Sequence, residues 1–393
     1  MSTAHVIVQA PGGVPFLGHA MSLLRDPLAF LESMPAFGDL VRLRLGPLEA
    51  ILVCEPALTR QVLLDDRTFD KGGPLFDRAQ EVFGVGLASC PHSLHRRQRR
   101  LAQPTFQPGR FPAYARTMTA QIAAVVDGWH DGQILDVPAE MAALTMRIAL
   151  ETMFSGALTP QALHRSVADL ATVAGGIYRR TVLPPSLNRL PTPANRRYTR
   201  AGIRLRQTVS DIIAHRRSTG TDHGDLLSAL LEAGDAPAGR TAAGDGSPTD
   251  VELRDQVITF LGAGSETTAN TLAWALYALA RDPDLEARVH AEVDAVLAGA
   301  PAGLDHLTDL DLTGRVITET LRMYSPAWLI TRIVSADTHL GGHPIPAGTT
   351  IICSPYLIHH RGDLHDGPDT FDPDRWESSR RPHPPREAFI PFG

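Results

Sequence analysis

Hydrophobic residues are densest over residues 251–281. Val257, Ile258, Phe260 and Leu261 lead into an unbroken apolar run from Leu272 to Ala280. The spacing of Leu253 and Val257 starts a helix for which Asp250 can act as N-cap. Pro283 cannot continue it and restrains Asp282, so the helix ends near Arg281. A helix of this length spans about 45 Å at 1.5 Å per residue, and one that is apolar nearly all round is expected to be buried. Its centre reads Gly262-Ala263-Gly264-Ser265-Glu266-Thr267-Thr268. A glycine in a helix interior costs about 1 kcal/mol relative to alanine, and a buried unpaired carboxylate costs more. A membrane span is one reading of such a run, but Glu266, Thr267, Thr268 and Asn270 argue against lipid. A kinked structural helix and a functional site are both compatible with the pattern.

Elsewhere the pattern alternates between helical and strand periods. Residues 26–34 form a short amphipathic helix with Pro27 at its start. Residues 41–45 alternate with period two, Gly46-Pro47 makes a turn and residues 50–53 follow, which predicts a β-hairpin. Residues 56–64 read as a helix, and the glycine-rich residues 70–89 as an irregular loop able to line a pocket. Two or three helices are expected over 110–171, interrupted at 128–132, Pro138 and Pro160. Residues 181–195, with Pro184, Pro185, Pro191 and Pro193, read as a long connection. Helices follow at 196–217 and 225–232, and 234–248 is a polar Gly/Ala/Asp loop. Further helices occupy 284–297 and 312–323. Residues 328–334, 345–346 and 349–353 are strand-like, with turns at Gly341-Gly342 and Ala347-Gly348. The remainder is a proline-rich meander. The whole predicts a mainly α fold with small β-sheets (α+β), its strands gathered near both ends of the chain.

Composition narrows this only slightly. The 393 residues are 43% hydrophobic and 20% charged, as in an ordinary globular protein. The formal net charge of −6 gives no reason to expect nucleic acid or an anionic membrane as partner. Cys54, Cys90 and Cys353 are widely spaced, which offers neither a disulfide framework nor a zinc pattern. The first residues resemble neither a signal peptide nor an anchor helix, so a cytoplasmic protein without a membrane anchor is expected.

Three stretches carry candidate chemistry. His92–Gln103 reads H-S-L-H-R-R-Q-R-R-L-A-Q. His95 and Arg99 share one helix face and Arg96 and Arg100 the next. A solvated basic face is the ordinary reading of such a run, and a nucleic-acid patch lacks basic companions. A histidine and an arginine one turn apart can also hold a carboxylate. Glu319 and Arg322 lie three apart among Val316, Ile317, Leu321 and Met323, which predicts a buried pair that needs further partners. His359, His360, Asp363 and His365 read as an exposed polar loop in preference to a metal cluster.

Together these stretches resemble the heme-thiolate monooxygenase (cytochrome P450) family over essentially the whole chain. A-G-S-E-T-T at Ala263–Thr268 is similar to the family's oxygen-activation motif. E-T-L-R at Glu319–Arg322 is similar to its ExxR motif, and F-D-P-D-R-W at Phe371–Trp376 to its meander. H-R-R-Q-R-R-L-A-Q-P-T-F resembles the helix that grips a heme propionate. F-D-K-G-G-P-L-F-D and L-P-T-P-A-N-R-R resemble actinobacterial members that oxidise sesquiterpenes.

The resemblance implies a single P450 domain over residues 1–393 and heme b (iron protoporphyrin IX) as cofactor. It implies propionate contacts from His95, Arg99 and Arg332, and a close backbone approach at Gly262, Ala263 and Gly264, with loosened backbone there making a groove for dioxygen. Glu266 and Thr267 would relay protons, and Glu319, Arg322 and Arg375 would form a structural triad. Phe76, Phe83, Phe260, Trp328, Leu329 and Ile330 would line an apolar pocket. The implied partners are O2, a small apolar substrate, and ferredoxin with its reductase docking at Arg96 and Arg100, on a monomer. The family's axial cysteine would fall about six residues beyond Phe392-Gly393, in a loop these two residues begin, and Cys54, Cys90 and Cys353 match no ligand position. The 393 residues alone are therefore expected to be inactive, as an incomplete oxygenase. The alternative is a degenerate remnant that binds small molecules or a partner. Retention of Glu266, Thr267, Glu319 and Arg322 favours the oxygenase.

Overall fold

A computed structural model describes residues 6–182, 185–235, 248–379 and 384–392. Pro184, most of the expected polar loop at 234–248, and Gly393 with the ligand position expected after it lie outside the described residues. The chain divides into two compact units. The first comprises Met1–Phe76, Trp274–Asp282 and Leu312–Gly393, and the second Asp77–Ala273 and Pro283–Asp311. The structure is mainly helical with small sheets, the fold class that the pattern predicts.

The first unit is built on a six-stranded sheet in the order β1-β2-β3-β8-β5-β4. Its strands are β1 (Val8–Gln9), β2 (Leu40–Leu45), β3 (Leu48–Val53), β4 (Phe69–Asp70), β5 (Ile330–Val334) and β8 (Thr350–Cys353). β6 (Thr338–Leu340) and β7 (His343–Ile345) form a separate ribbon. The predicted hairpin is β2–β3, antiparallel with Leu40 opposite Val53 and Leu45 opposite Leu48. Its period of two sends alternate residues to opposite faces. Leu40, Ile51, Val53, Ile351 and Cys353 pack with Phe69 and Val334 on one face. Val41, Leu43, Ala50, Leu52 and Ile352 pack with Leu31 and Met34 on the other. β3 pairs in parallel with β8, so the strands expected at the two ends of the chain share one sheet. Gly341, Gly342 and Gly348 take φ of +56°, +78° and +82°, which is why glycine stands at both predicted turns.

The second unit is helical. Phe111–Val126, Val137–Phe154, Pro160–Val182, Pro193–Thr219 and Leu226–Asp235 surround the first two thirds of the long helix Asp250–Arg281. Leu253, Val257, Ile258 and Leu261 are fully buried against Phe154, Leu205, Ile213, Leu227 and Leu230.

Four expectations need correction. Residues 70–89 are not wholly irregular, because Pro74–Phe83 is a helix; proline is well suited to a first helical position. The 181–195 connection is shorter than expected: the preceding helix runs to Val182, Pro185–Arg189 is a short helix, and Pro193 opens the next. The long helix is capped by Thr249, not Asp250. The Glu252 backbone N–H donates to Thr249 Oγ1 (3.2 Å) and the Thr249 N–H donates to Glu252 Oε2 (2.9 Å), a reciprocal capping box. Finally, that helix is not buried all round, since Trp274, Leu276 and Tyr277 are 42%, 41% and 48% exposed.

Candidate functional site

The central stretch of the long helix stays helical without a break, so no loosened backbone opens a groove there. Its hydroxyls fold back on the helix. Ser265 Oγ donates to Leu261 O (2.5 Å), Thr267 Oγ1 to Ala263 O (2.7 Å) and Thr271 Oγ1 to Thr267 O (2.9 Å). Such back-bonding satisfies the hydroxyl inside a helix. Ser265 is buried, and its carbonyl lies 3.0 Å from Thr145 Oγ1 on the Val137–Phe154 helix. Ala263, Gly264, Glu266, Thr267 and Thr268 are exposed. Although Glu266 reaches solvent, desolvation raises its carboxyl above the ordinary carboxylate value.

The two glycines of this stretch serve different needs. A Cβ on Gly262 would lie 2.4 Å from Phe83 Cε1, whereas one on Gly264 would meet nothing within 4 Å. Gly262 is therefore small because the Phe83 ring lies on it, and Gly264 leaves a stretch of helix surface open. Phe83 is held from below. Val85 N–H donates to Asp255 Oδ2 (3.0 Å) and Leu87 N–H to Gln256 Oε1 (3.0 Å). Gly84 has φ of +68°, and its Cβ would fall 2.1 Å from the Asp255 carboxyl carbon. Asp255 is itself paired with Arg254 at 2.8 Å. Two adjacent side chains of the long helix thus fix the loop after Phe83, a long-range pairing with no local sequence signal. Phe260, also half-buried, packs edge-on to Phe106 with ring centroids 5.4 Å apart.

His95 and Arg99 lie on the helix His92–Ala102, His95 half-buried and Arg99 exposed. Arg99 has no ion-pair partner among the described residues. The neighbouring Arg97, which the sequence did not single out, donates from Nε (3.0 Å) and Nη2 (3.3 Å) to the two oxygens of Glu252. Burial works to raise the Glu252 carboxyl, but Arg97 and Thr249 outweigh it and hold it below its ordinary value. This basic run is therefore not simply a solvated face: Arg97 fastens the helix to the start of the long one.

In the first unit, Glu319 and Arg322 are both 0% exposed. Arg322 donates to Glu319 from Nε (2.9 Å) and Nη2 (2.7 Å). Trp376 Nε1 (2.8 Å), Asp372 N (3.0 Å) and Arg375 Nε (3.5 Å) complete the shell around the carboxylate. The remaining Arg322 donors reach the carbonyls of His359 (2.9 Å), Pro368 (2.7 Å) and Thr370 (3.2 Å). Arg375 Nη1 donates to Asp366 O (2.6 Å).

Arg332, on β5, has its guanidinium carbon 6.0 Å from the Phe76 ring centre. Desolvation lowers its pKa, and no carboxylate pairs with it among the described residues. Trp328 and Leu329 pack on one face of the sheet and Ile330 on the other, so these three do not line a single wall. The polar His loop is not exposed either, since His359 and His365 are 0% and 2% exposed. No group of three or more His, Cys, Asp or Glu among the described residues could hold a metal ion. Cys54, Cys90 and Cys353 are buried and form no disulfide among the described residues; burial pushes the Cys54 and Cys353 thiols up to about 12, so both stay protonated. Among the described residues, no helix is long and apolar enough to cross a membrane.

The family model described as Cytochrome P450 matches residues 8–393. The chain is 45% identical over 384 residues to pentalenene oxygenase of Streptomyces avermitilis, covering 98% of this chain and 84% of that one. It is 46% identical over 385 residues to cyclooctat-9-en-7-ol 5-monooxygenase of Streptomyces melanosporofaciens, covering 98% and 82%. It is 42% identical over 386 residues to cyclooctatin synthase of the same organism, covering 98% and 83%.

Two outcomes are expected from this geometry. Glu319→Ala or Arg322→Ala leaves the other charge buried and unpaired, at a cost of about 3–5 kcal/mol against a total stability of about 5–15 kcal/mol. Soluble folded protein should fall to a small fraction of wild type, as read by expression yield and thermal unfolding. Gly262→Ala should cost about 1–3 kcal/mol by overpacking, and adding Phe83→Leu should restore most of it. Chemical denaturation of the single and double variants measures the coupling.

Proposed function

The chain belongs to the cytochrome P450 family, and we propose that it is a monooxygenase acting on a small apolar terpene, with sesquiterpenes the expected class. One observation carries the reading. The long helix is buried over its first part but presents an exposed patch of Ala263, Gly264, Glu266 and Thr267, a carboxyl and a hydroxyl beside a surface without side chains. The relatives named for oxidising pentalenene and cyclooctat-9-en-7-ol support the terpene assignment.

The residues present fit a heme. Two arginines, Arg99 and Arg332, lack carboxylate partners among the described residues, and an anionic cofactor would supply them. Arg99 with His95 in the second unit, and separately Arg332 in the first, are our candidates for propionate contacts, since an arginine fork matches a carboxylate. Open backbone at Ala263 and Gly264 suits a flat ring. When bound, heme supplies activation of dioxygen, one atom entering the substrate and the other leaving as water with two protons and two electrons.

The chain's own residues then handle protons and shape. The raised Glu266 carboxyl retains its proton above the usual carboxylate range, and being exposed it can recharge from solvent. Thr267 donates its hydroxyl hydrogen bond to Ala263 O, so the hydroxyl oxygen's lone pairs face outward as an acceptor. It can order a water that Glu266 protonates, and it donates onward only by releasing Ala263. Phe83 and Phe260 offer apolar surface without polar handles, as a hydrocarbon ligand requires. Electrons would come from a ferredoxin and its reductase in the cytoplasm, docking near the exposed Arg96 on a monomeric enzyme that works as a single P450 domain.

Protein supplied with heme, ferredoxin and reductase, given labelled dioxygen with pentalenene or cyclooctat-9-en-7-ol as probes, should place one labelled oxygen in a terpene product. Oxidation of charged polar compounds with none of terpenes would overturn the assignment. Glu266→Gln should slow turnover by about 10²-fold or more. Because the folded carboxyl is raised, wild-type proton delivery should fall as pH rises through that raised value, and this alkaline limb should vanish in Glu266→Gln. Thr267→Ala should keep substrate affinity but divert electrons to peroxide, as product-to-peroxide ratios would report.

A further inference from the structure

Two buried histidines lie outside the chemistry described so far. His359 Nε2 is 2.9 Å from the backbone nitrogen of Ile390, and His365 Nε2 is 3.0 Å from the carbonyl of Ala388. These are the two hydrogen bonds that side chains make to the backbone of residues 384–392 among the described residues. The opposite ring nitrogen of His359 lies 2.8 Å from Ser325 Oγ and 3.1 Å from Arg322 O. In return, Arg322 Nη1 donates to His359 O at 2.9 Å.

The partners fix each ring's proton. A backbone N–H can only donate, so His359 Nε2 must carry a lone pair and the proton sits on Nδ1. A carbonyl can only accept, so His365 carries its proton on Nε2, and its Nδ1 is buried without a partner. Protonating His359 sets N–H against N–H and breaks the bond to Ile390. Protonating His365 leaves its bond to Ala388 intact. His359 alone is therefore a latch that holds only in its neutral form.

We propose that His359 is a positioning residue that ties the segment Ala388–Phe392 to the Glu319–Arg322–Arg375 network. No other described side chain bonds both Arg322 and that segment. The ring also packs on Phe389 with centroids 5.4 Å apart, and Phe389 packs on Trp376 at 4.7 Å, so the segment meets the network at two points. If the chain binds heme as the family does, this segment leads into the iron-ligand loop, and the latch orders that approach; that consequence rests on the proposed function, whereas the latch itself does not.

The charged and titratable groups that act on His359 are Arg322 on the preceding helix, His360 and His365; Glu319 and Arg375 lie beyond Arg322 in the same network. Burial is the largest influence and holds His359 at about 3, well below its ordinary 6.5. The ring is thus neutral in the folded segment, while an opened segment takes up a proton below pH 6.5. Opening should become easier by about tenfold per pH unit for each such histidine between these limits.

Hydrogen exchange at the Ile390 amide of the purified full-length protein, corrected for its intrinsic rate, tests this without using the heme. His359→Phe should raise exchange at Ile390 by about tenfold or more, with amides of the long helix unchanged. His359→Gln, whose Oε1 can accept from Ile390 but does not titrate, should retain much of the protection and reduce the pH slope by one proton per opening. Should the Phe variant not fold, the slope in the Gln variant still decides. An unchanged slope, or unchanged Ile390 exchange in a folded Phe variant, overturns the proposal. Neither result bears on terpene oxidation, so failure of the latch and failure of the oxygenase reading are distinguishable.

Discussion

The first unit depends on a carboxylate kept from water. Glu319 is fully buried, and a charge there is tolerable only if its oxygens are saturated with donors. The donors come from Arg322 one turn away and from Asp372, Arg375 and Trp376 in the meander. A proline-rich stretch with little regular structure therefore has one arrangement that satisfies the charge. Arg322 extends the demand, since its other hydrogens need the carbonyls of His359, Pro368 and Thr370. An apolar pair of similar volume could match the stability of such a bridge. What it could not supply is direction: three donors from separate points of the meander, Asp372, Arg375 and Trp376, define where 366–376 must run.

How much of this was legible in the sequence follows from how local each signal is. The long helix, the β2–β3 hairpin and the Glu319–Arg322 pair rest on spacings of two, three or four residues, and all three form. Thr249 and Glu252 also carried a readable T-x-x-E cap, but Asp250 is an equally good capping residue type and stood next to the apolar run. The helix Pro74–Phe83 was hidden by Gly72-Gly73 before it and Gly84 and Gly86 after it, which made the whole stretch look irregular. His359 and His365 read as exposed because they sit among Arg361, Asp363 and Asp366. Their burial is decided by Ala388–Ile390 packing back over them, and no local pattern announces that.

The central stretch shows the same limit from the other side. Its oddity was visible, because glycine, serine, glutamate and threonine break the rules of a buried helix together. The reasons were not, and they differ from residue to residue. Gly262 is small for Phe83, whose loop is fixed by Asp255 and Gln256 two turns earlier on the helix. Ser265 is buried and back-bonded to Leu261, a structural accommodation. Gly264, Glu266, Thr267 and Thr268 remain without a packing explanation, and with Ala263 they are the residues that face outward.

That sorting bears on how the helix could host the proposed proton transfer and stay whole. A hydroxyl mid-helix competes with the backbone for the i−4 carbonyl, and Thr267 takes that bond without interrupting the helix. The bond holds the hydroxyl in one rotamer and leaves its lone pairs directed away from the backbone. A hydroxyl free of this bond would rotate among several positions, and a water it ordered would move with it. In the proposed relay, Ala263 O would be the resting hydrogen-bond partner of the hydroxyl, and the helix geometry itself would pre-orient the acceptor. Glu266, one residue earlier, lies on a neighbouring face and has no such tether among the described residues; in the proposed function its long side chain and raised carboxyl would carry protons between that fixed point and solvent. The division is between one group held still and one left free, and both conditions follow from where the helix is buried and where it is not.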